Sequence, residues 1–268
     1  MANKLLIVAN WKMNPASQKE AKKLFDSVKR GITRNLIPFR QGLRTDKARS
    51  HAEVVICPPF IYLPTLKGLT FGGQNVHYKE KGAFTGEISP LMLKDLNVKY
   101  VILGHSERRK YFGETDEIIN KKVKISLECG LNVVLCIGET LKEKEKGETE
   151  NILRKQIDAA LEGISILKFK NKLNIAYEPV WAISSGDPYK TRELPNIENV
   201  EKIYFYIKTL LAKKYNQANT KNIRIIYGGS THSGNVKGYL KETRMQGLLV
   251  GGASLNPKEF IKIVKSAQ

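Results

Sequence analysis

Cysteine is scarce in this chain. Only Cys57, Cys129 and Cys136 occur, and no two are spaced as a Cys-x-x-Cys pair. Such spacing offers neither a zinc site nor a redox couple, and it points to a reducing, cytoplasmic setting. Long apolar runs are also missing: no stretch approaches the ~20 residues that a membrane-spanning helix needs. The first apolar run, Leu5–Ala9, is too short for a secretory signal, and Asn10, Lys12 and Asn14 follow it too closely. No linker, low-complexity tract or long repeat divides the chain. No Gly-x-Gly-x-x-Gly follows the first apolar run, which argues against an open dinucleotide-binding sheet. Acids are few as well, 26 against 45 Lys and Arg, for a formal charge of +19. A field of that sign favours anionic substrates and non-specific adhesion to polyanions. The bases are spread over Lys19–Arg49, Lys142–Lys146, Lys168–Lys172 and Lys258–Lys265, mostly interleaved with apolar residues at helical spacing. That pattern reads as solvated helix faces. With no aromatic–basic ribonucleoprotein signature and no zinc-finger spacing, specific nucleic-acid binding is not expected.

What is present is a regular beat. The 268 residues are 41% hydrophobic, enough for a sizeable core. Short apolar runs, rich in β-branched residues, recur at Leu5–Ala9, Val54–Cys57, Leu69–Gly72, Tyr100–Leu103, Val133–Ile137, Asn174–Tyr177, Ile223–Tyr227 and Leu248–Val250. Between most of them lie amphipathic segments with helix-start chemistry. Ser17 and Glu20 form a capping box, and Thr115, Asn196 and Asn256-Pro257 precede three further helices. Strands alternating with helices imply a parallel sheet, because parallel neighbours need a crossover. Eight such units predict an α/β fold, one closed (β/α)8 barrel domain over residues 1–268; an open doubly wound sheet is the alternative.

In such a barrel the carboxyl ends of the strands share one face, where sites are built. Strand one ends in Asn10-Trp11-Lys12, whose alternation puts Asn10 and Lys12 on one face. Strand four ends in Gly104-His105-Ser106-Glu107 and strand six in Glu178. Strands seven and eight end in Gly228-Gly229-Ser230 and Gly251-Gly252. Taken alone, Glu178 reads as a glutamate opening a surface loop, Lys12 as a snorkelling lysine, and the glycine pairs as tight turns. Together they form a chemical set. Pro179 ends the strand behind Glu178 and holds the carboxylate among apolar groups, which raises its proton affinity and suits a general base. Gly229-Ser230 and Gly251-Gly252 read as a cradle of backbone N–H groups for phosphate. Lys12 and His105 are placed to stabilise an oxygen that gains charge when a proton leaves the neighbouring carbon. No metal-ligand spacing is apparent, and no metal is needed.

Asn10-Trp11-Lys12-Met13-Asn14, Gly82-Ala83-Phe84-Thr85-Gly86-Glu87, Gly104-His105-Ser106-Glu107-Arg108-Arg109, Cys136-Ile137-Gly138-Glu139, Ala176-Tyr177-Glu178-Pro179-Val180-Trp181 and Tyr227-Gly228-Gly229-Ser230 resemble the triosephosphate isomerase family, in order and over nearly the whole chain. The barrel takes its common name, TIM barrel, from that family. The resemblance implies a cofactor-free isomerase of glycolysis and gluconeogenesis, interconverting dihydroxyacetone phosphate and D-glyceraldehyde 3-phosphate through an enediolate. It implies that Glu178 shuttles the proton and that His105 acts as a neutral electrophile. Lys12 would neutralise phosphate and enediolate charge, and Asn10 would orient the substrate. It gives Ser106 the role of holding Glu178 in an open state and Glu107 that of fixing Lys12. Ser184, Ser230, Gly251 and Gly252 would bind phosphate, and Thr85 would meet the Asn10 region of a second subunit in a homodimer.

Two segments depart from the family pattern. Where Gly-Thr-Gly-Lys-Thr is usual, this chain has Ser184-Ser185-Gly186-Asp187-Pro188-Tyr189 and then extra residues up to Pro195. Gly31–Glu53 is longer than usual and rich in Arg and Lys, as an inert surface insertion would be. Two rival readings remain on sequence alone: a related barrel acting on another phosphorylated aldose–ketose pair, and a basic, catalytically weak binding protein.

Overall fold

The computed structural model describes residues 4–33, 52–169, 172–183 and 194–267. Eight strands close into a barrel in chain order, every neighbour parallel: β1 Leu5–Asn10, β2 Ala52–Cys57, β3 Thr70–Gly73, β4 Tyr100–Leu103, β5 Asn132–Ile137, β6 Leu173–Tyr177, β7 Arg224–Tyr227 and β8 Gly247–Val250. Closure is made by β1, which pairs with β2 from Leu5↔Ala52 to Asn10↔Cys57 and with β8 from Leu6↔Gly247 to Ala9↔Val250. The expected strands are all present and the closed barrel replaces the open-sheet alternative.

The strand runs are apolar without a break because both faces are buried. One alternate set, including Leu6, Val8, Val55, Ile102, Val134, Cys136, Ala176, Ile226 and Leu249, forms a separate cluster that fills the barrel. The other set, including Ile7, Ala9, Ile56, Val101, Leu103, Leu135, Ile175 and Val250, packs under the helices. Those helices begin where cap chemistry places them. At α1 (Gln18–Thr33) Ser17 N–H donates to Glu20 Oε2 at 3.2 Å while Glu20 N–H donates to Ser17 Oγ at 3.3 Å. Between α1 and β5 come α2 (Pro90–Asp95), α3 (Ser106–Phe112) and α4 (Asp116–Glu128), the last capped by Thr115. After β5 follow α5 (Leu141–Glu145) and α6 (Thr149–Ala160). Asn196 and Asn256 cap α7 (Ile197–Tyr215) and, after the short α8 (Gln217–Thr220), α9 (Pro257–Ser266). No described helix is long and apolar enough to cross a membrane.

Strand ends shift where polar residues join the ladder. β2 starts at Ala52 rather than Val54, because Ala52 and Glu53 pair with Leu5 and Leu6. Glu53 is also tied into a polar cluster at the amino ends of the strands. Arg224 donates to Asn174 Oδ1 at 2.8 Å, Glu53 Oε2 at 2.8 Å and the Tyr100 hydroxyl at 2.9 Å, and that hydroxyl donates to Glu53 Oε1 at 2.6 Å. Of the basic stretch Gly31–Glu53, Gly31–Thr33 finish α1 and Ala52 and Glu53 open β2; residues 34–51 lie outside the described residues, as do 184–193, which carry the Ser184–Tyr189 departure. The Gln74–Glu87 connection is internally tied. His77 N–H donates to Ile88 O at 2.8 Å, and the His77 ring stacks on Tyr78 and leans on Phe84 with centroids 4.2 and 4.3 Å away.

The Arg224 cluster generates a prediction. Arg224→Leu leaves Glu53, Asn174 and Tyr100 short of a buried donor and lowers unfolding stability by about 2–3 kcal/mol. Urea unfolding measures the loss. Activity per folded molecule stays within about twofold, because the cluster lies at the end of the barrel away from the cleft.

Candidate active site

At the opposite face, the carboxyl ends of the strands surround a small cleft. Asn10, Lys12, His105, Glu178, Ser230, Gly251 and Gly252 all line it, so the fold brings these expected residues together. Ile183, Gly228, Gly229, Thr231, Leu249 and Ala253 complete the walls.

Glu178 follows β6 directly, and its N–H continues the ladder by donating to Ile137 O at 2.8 Å. Its side chain is only 2% exposed. The expected apolar surroundings are corrected here, since the carboxylate meets polar partners. His105 Nε2 lies 3.4 Å from Oε1, and Ser106 N–H donates to Oε2 at 3.3 Å. On its inner side is the Cys136 thiol, pushed well up by burial and then by the negative charge of Glu178 itself. That thiol stays protonated and donates to the carboxylate. Two glycines make the room: a Cβ on Gly228 would come within 2.7 Å of Glu178 Cγ, and one on Gly138 would overlap the Glu178 carbonyl.

His105 is buried and caps α3, its Nδ1 accepting the Glu107 N–H at 3.2 Å. An acceptor nitrogen carries no proton, so the bond assigns the ring proton to Nε2, the nitrogen that faces Glu178 and the cleft. The helix start therefore selects the tautomer.

Lys12 enters the cleft for a different reason from strand alternation. β1 ends at Asn10, and Lys12 holds a left-handed backbone with φ 54°, uncommon for a lysine. The turn is fixed from two sides: Lys12 N–H donates to Asn10 Oδ1 at 3.0 Å, and Gln74 Nε2 donates to Lys12 O at 2.8 Å and to Cys57 O at 2.9 Å. The Lys12 ammonium then pairs with Glu107 Oε1 at 2.6 Å. Because Glu107 also supplies the N–H to His105, one residue of α3 orients both cationic and neutral donors.

On the far wall, Gly251 and Gly252 sit where the last strand turns into a short helical turn, Gly252–Leu255, ahead of α9. Ser230 lines the same wall, but its N–H donates to Ala182 O at 3.0 Å. Ser184 lies outside the described residues. Thr85 does not line this cleft; it is exposed at the tip of the Gln74–Glu87 connection.

Sequence reasoning passed over several contributors. Gln74 carried no signal of its own, and its two carbonyl partners lie far away in the chain, Lys12 just past β1 and Cys57 at the end of β2. Gly228 stood in a turn-like pair and Gly138 in a family motif, with nothing in the sequence to tie either to the space around Glu178. Glu139 also emerges: it is buried, and Oε1 accepts Tyr177 OH at 3.2 Å and Trp181 Nε1 at 2.7 Å. Burial raises its pKa, and the Trp181 bond opposes that rise.

Residues 5–267 match the family model described as triosephosphate isomerase. Curated relatives agree. A triosephosphate isomerase of Alkaliphilus oremlandii is 40% identical over 267 residues, covering 97% of this chain and 98% of the relative. That of Carboxydothermus hydrogenoformans is 40% identical over 270 residues, with 98% and 99% covered. That of Aquifex aeolicus is 41% identical over 270 residues, with 97% and 98% covered. A match of this extent, on a closed barrel whose strand ends carry the family's polar residues, shows that the chain belongs to the triosephosphate isomerase family.

Proposed function

We propose that this cleft carries out the family reaction, with dihydroxyacetone phosphate and D-glyceraldehyde 3-phosphate interconverted by proton transfer between adjacent carbons. The observation that carries the residue roles is the buried pair of Glu178 carboxylate and His105 Nε2, 3.4 Å apart, beside the Lys12 ammonium. A carboxylate base paired with a neutral histidine is a familiar worked case for this very family. Glu178 takes the proton from the carbon next to the substrate carbonyl. The C–H electron pair becomes the C=C bond of the enediolate, and the carbonyl π electrons move to oxygen. His105 Nε2–H and the Lys12 ammonium meet that oxygen, and Asn10 holds the substrate hydroxyl side. His105 Nε2–H then gives its proton to that oxygen, and the ring nitrogen takes the proton of the neighbouring hydroxyl. The oxygen of that hydroxyl becomes the new carbonyl as Glu178 returns its proton to the other carbon and the C=C pair forms that C–H bond. For this the substrate carbonyl replaces Glu178 as the acceptor for His105, and Glu178 leaves the Ser106 N–H to face carbon. Glu107 keeps Lys12 and His105 in register throughout.

The phosphate fits the Gly251–Gly252 wall. Ser230 joins that wall when Ala182 O releases its N–H, with Ser184 as the further contact that the family resemblance implies. No cofactor is called for by these steps. One barrel domain in the cytoplasm, acting in glycolysis and gluconeogenesis, is the simplest setting. A homodimer is supported by where apolar side chains are exposed. Met13, Ile61, Phe84 and Tyr111 are 93%, 75%, 38% and 66% exposed, and they follow β1, β2, β3 and β4 respectively, on one half of the barrel mouth. Thr85 stands in the same half and would reach the partner's cleft.

Three outcomes follow. In a coupled assay, Glu178→Gln lowers kcat by about 10²–10⁴-fold with KM little changed; equal turnover by the two proteins contradicts the assignment. Nitrogen NMR of His105 finds Nδ1 bare and Nε2 protonated in the resting protein, and the reverse tautomer contradicts the electrophile role. Thr85→Arg yields a monomer on sedimentation that has lost most activity, and a verified monomer with full turnover rejects the shared site.

A further inference from the structure

The segment that bears Glu178 is held by more than its strand. Glu139 gathers both flanks: Tyr177 OH and Trp181 Nε1 donate to its Oε1, and Val180 N–H donates to its carbonyl oxygen at 3.0 Å. Pro179 adds a fixed φ of −60° between them. The indole of Trp181 is only 8% exposed, yet its ring is not covered by apolar side chains alone. The Lys144 Nζ lies 3.6 Å from the Trp181 ring centroid. That distance is well inside the range in which an ammonium is attracted to the ring face, and it is the shortest such contact among the described residues.

Lys144 is delivered to that position by a stiff support. It sits in α5, whose first turn is closed by a reciprocal capping box: Thr140 N–H donates to Glu143 Oε2 at 2.7 Å, and Glu143 N–H donates to Thr140 Oγ1 at 3.4 Å. The helix follows Glu139 directly in the chain. One short stretch, Glu139–Lys144, therefore grips the same indole twice, by its N–H edge and by its face. The edge contact fixes where the ring lies in its own plane, and the face contact fixes its height and tilt. Neither alone holds the ring.

We propose that Lys144 is a positioning residue for Glu178, acting through the Trp181 ring and the Glu178–Trp181 corner. It rests on the reaction assigned above to Glu178. A carboxylate that must reach a substrate carbon within a few tenths of an ångström depends on its backbone support. Loosening Trp181 lets the corner shift and lowers the fraction of bound substrate that meets the carboxylate in line. Substrate phosphate is held on the opposite wall, so the loss falls on kcat rather than on KM.

The test combines kinetics with a spectroscopic signature. Lys144→Gln, Lys144→Arg, Trp181→Phe and the double variant K144Q/W181F are compared with the wild-type protein. Lys144→Gln lowers kcat by about threefold to tenfold with KM within about twofold, and Lys144→Arg, which keeps a cation over the ring, recovers most of the loss. In the Trp181→Phe background the same substitution lowers kcat by less than about twofold, because a smaller ring that cannot bond Glu139 leaves less for the cation to transmit. Without substrate, the emission of Trp181, obtained by difference against Trp181→Phe, changes in Lys144→Gln and returns in Lys144→Arg. An unchanged kcat and emission in Lys144→Gln overturns the proposal, as does an equal loss in both backgrounds or a loss that arginine fails to rescue. Failure of the isomerase reading is distinct: it appears as absent triose phosphate turnover in the wild-type protein, while the emission comparison still decides whether Lys144 grips the ring.

Discussion

The contact between the Glu178 carboxylate and the end of β4 is the constraint around which this protein is arranged. A carboxylate that is 2% exposed has given up nearly all of its water, and it stays in the fold because His105, the Ser106 N–H and the Cys136 thiol replace that solvation. All three come from outside its own strand: His105 and Ser106 follow β4, and Cys136 lies in β5. The parallel barrel brings the ends of β4, β5 and β6 to one rim, and glycine at 228 leaves space for the Glu178 side chain while glycine at 138 leaves space for its carbonyl. The partners are also weak enough to leave. Bonds of 3.3 and 3.4 Å can be exchanged for a substrate, as the proposed proton transfer requires.

The two ends of the barrel divide the work. At the amino ends of the strands, Arg224 joins Asn174, Glu53 and Tyr100 with bonds of 2.8 to 2.9 Å and ties β2, β4, β6 and β7 together. Burial there raises the Tyr100 hydroxyl above its ordinary value, and the Arg224 charge opposes the rise. At the carboxyl ends the geometry is looser and carries strain, as the left-handed Lys12 shows. Strain of this kind persists only where neighbours over-determine it, and Asn10 and Gln74 do so from either side.

Much of this was legible in the residues. Continuous β-branched runs marked the strands because both of their faces are buried, and cap residues such as Ser17, Thr115, Asn196 and Asn256 marked helix starts because their side chains satisfy local N–H groups. Those are short-range effects, which a sequence displays. Asn10, Lys12, His105 and Glu178 were legible as a set once the strand ends were aligned. The reason for the position of Lys12 was not, since a left-handed turn braced by Gln74 depends on contacts across strands. Likewise the surroundings of Glu178 were misread as apolar: Pro179, Val180 and Trp181 are its neighbours in the chain, while its neighbours in space are His105, Ser106 and Cys136. The twofold grip on Trp181 by Glu139 and Lys144 escaped for the same reason.

The reaction assigned to Glu178 has a direct signature in the product. Isomerisation run in deuterium oxide and followed by proton NMR reports where the transferred hydrogen comes from. With a carboxylate carrying the proton, solvent deuterium enters a measurable fraction of the product at the carbon beside the new carbonyl, and this labelling collapses together with turnover in Glu178→Gln. Labelling and turnover that proceed at an undiminished rate in Glu178→Gln would contradict Glu178 as the base.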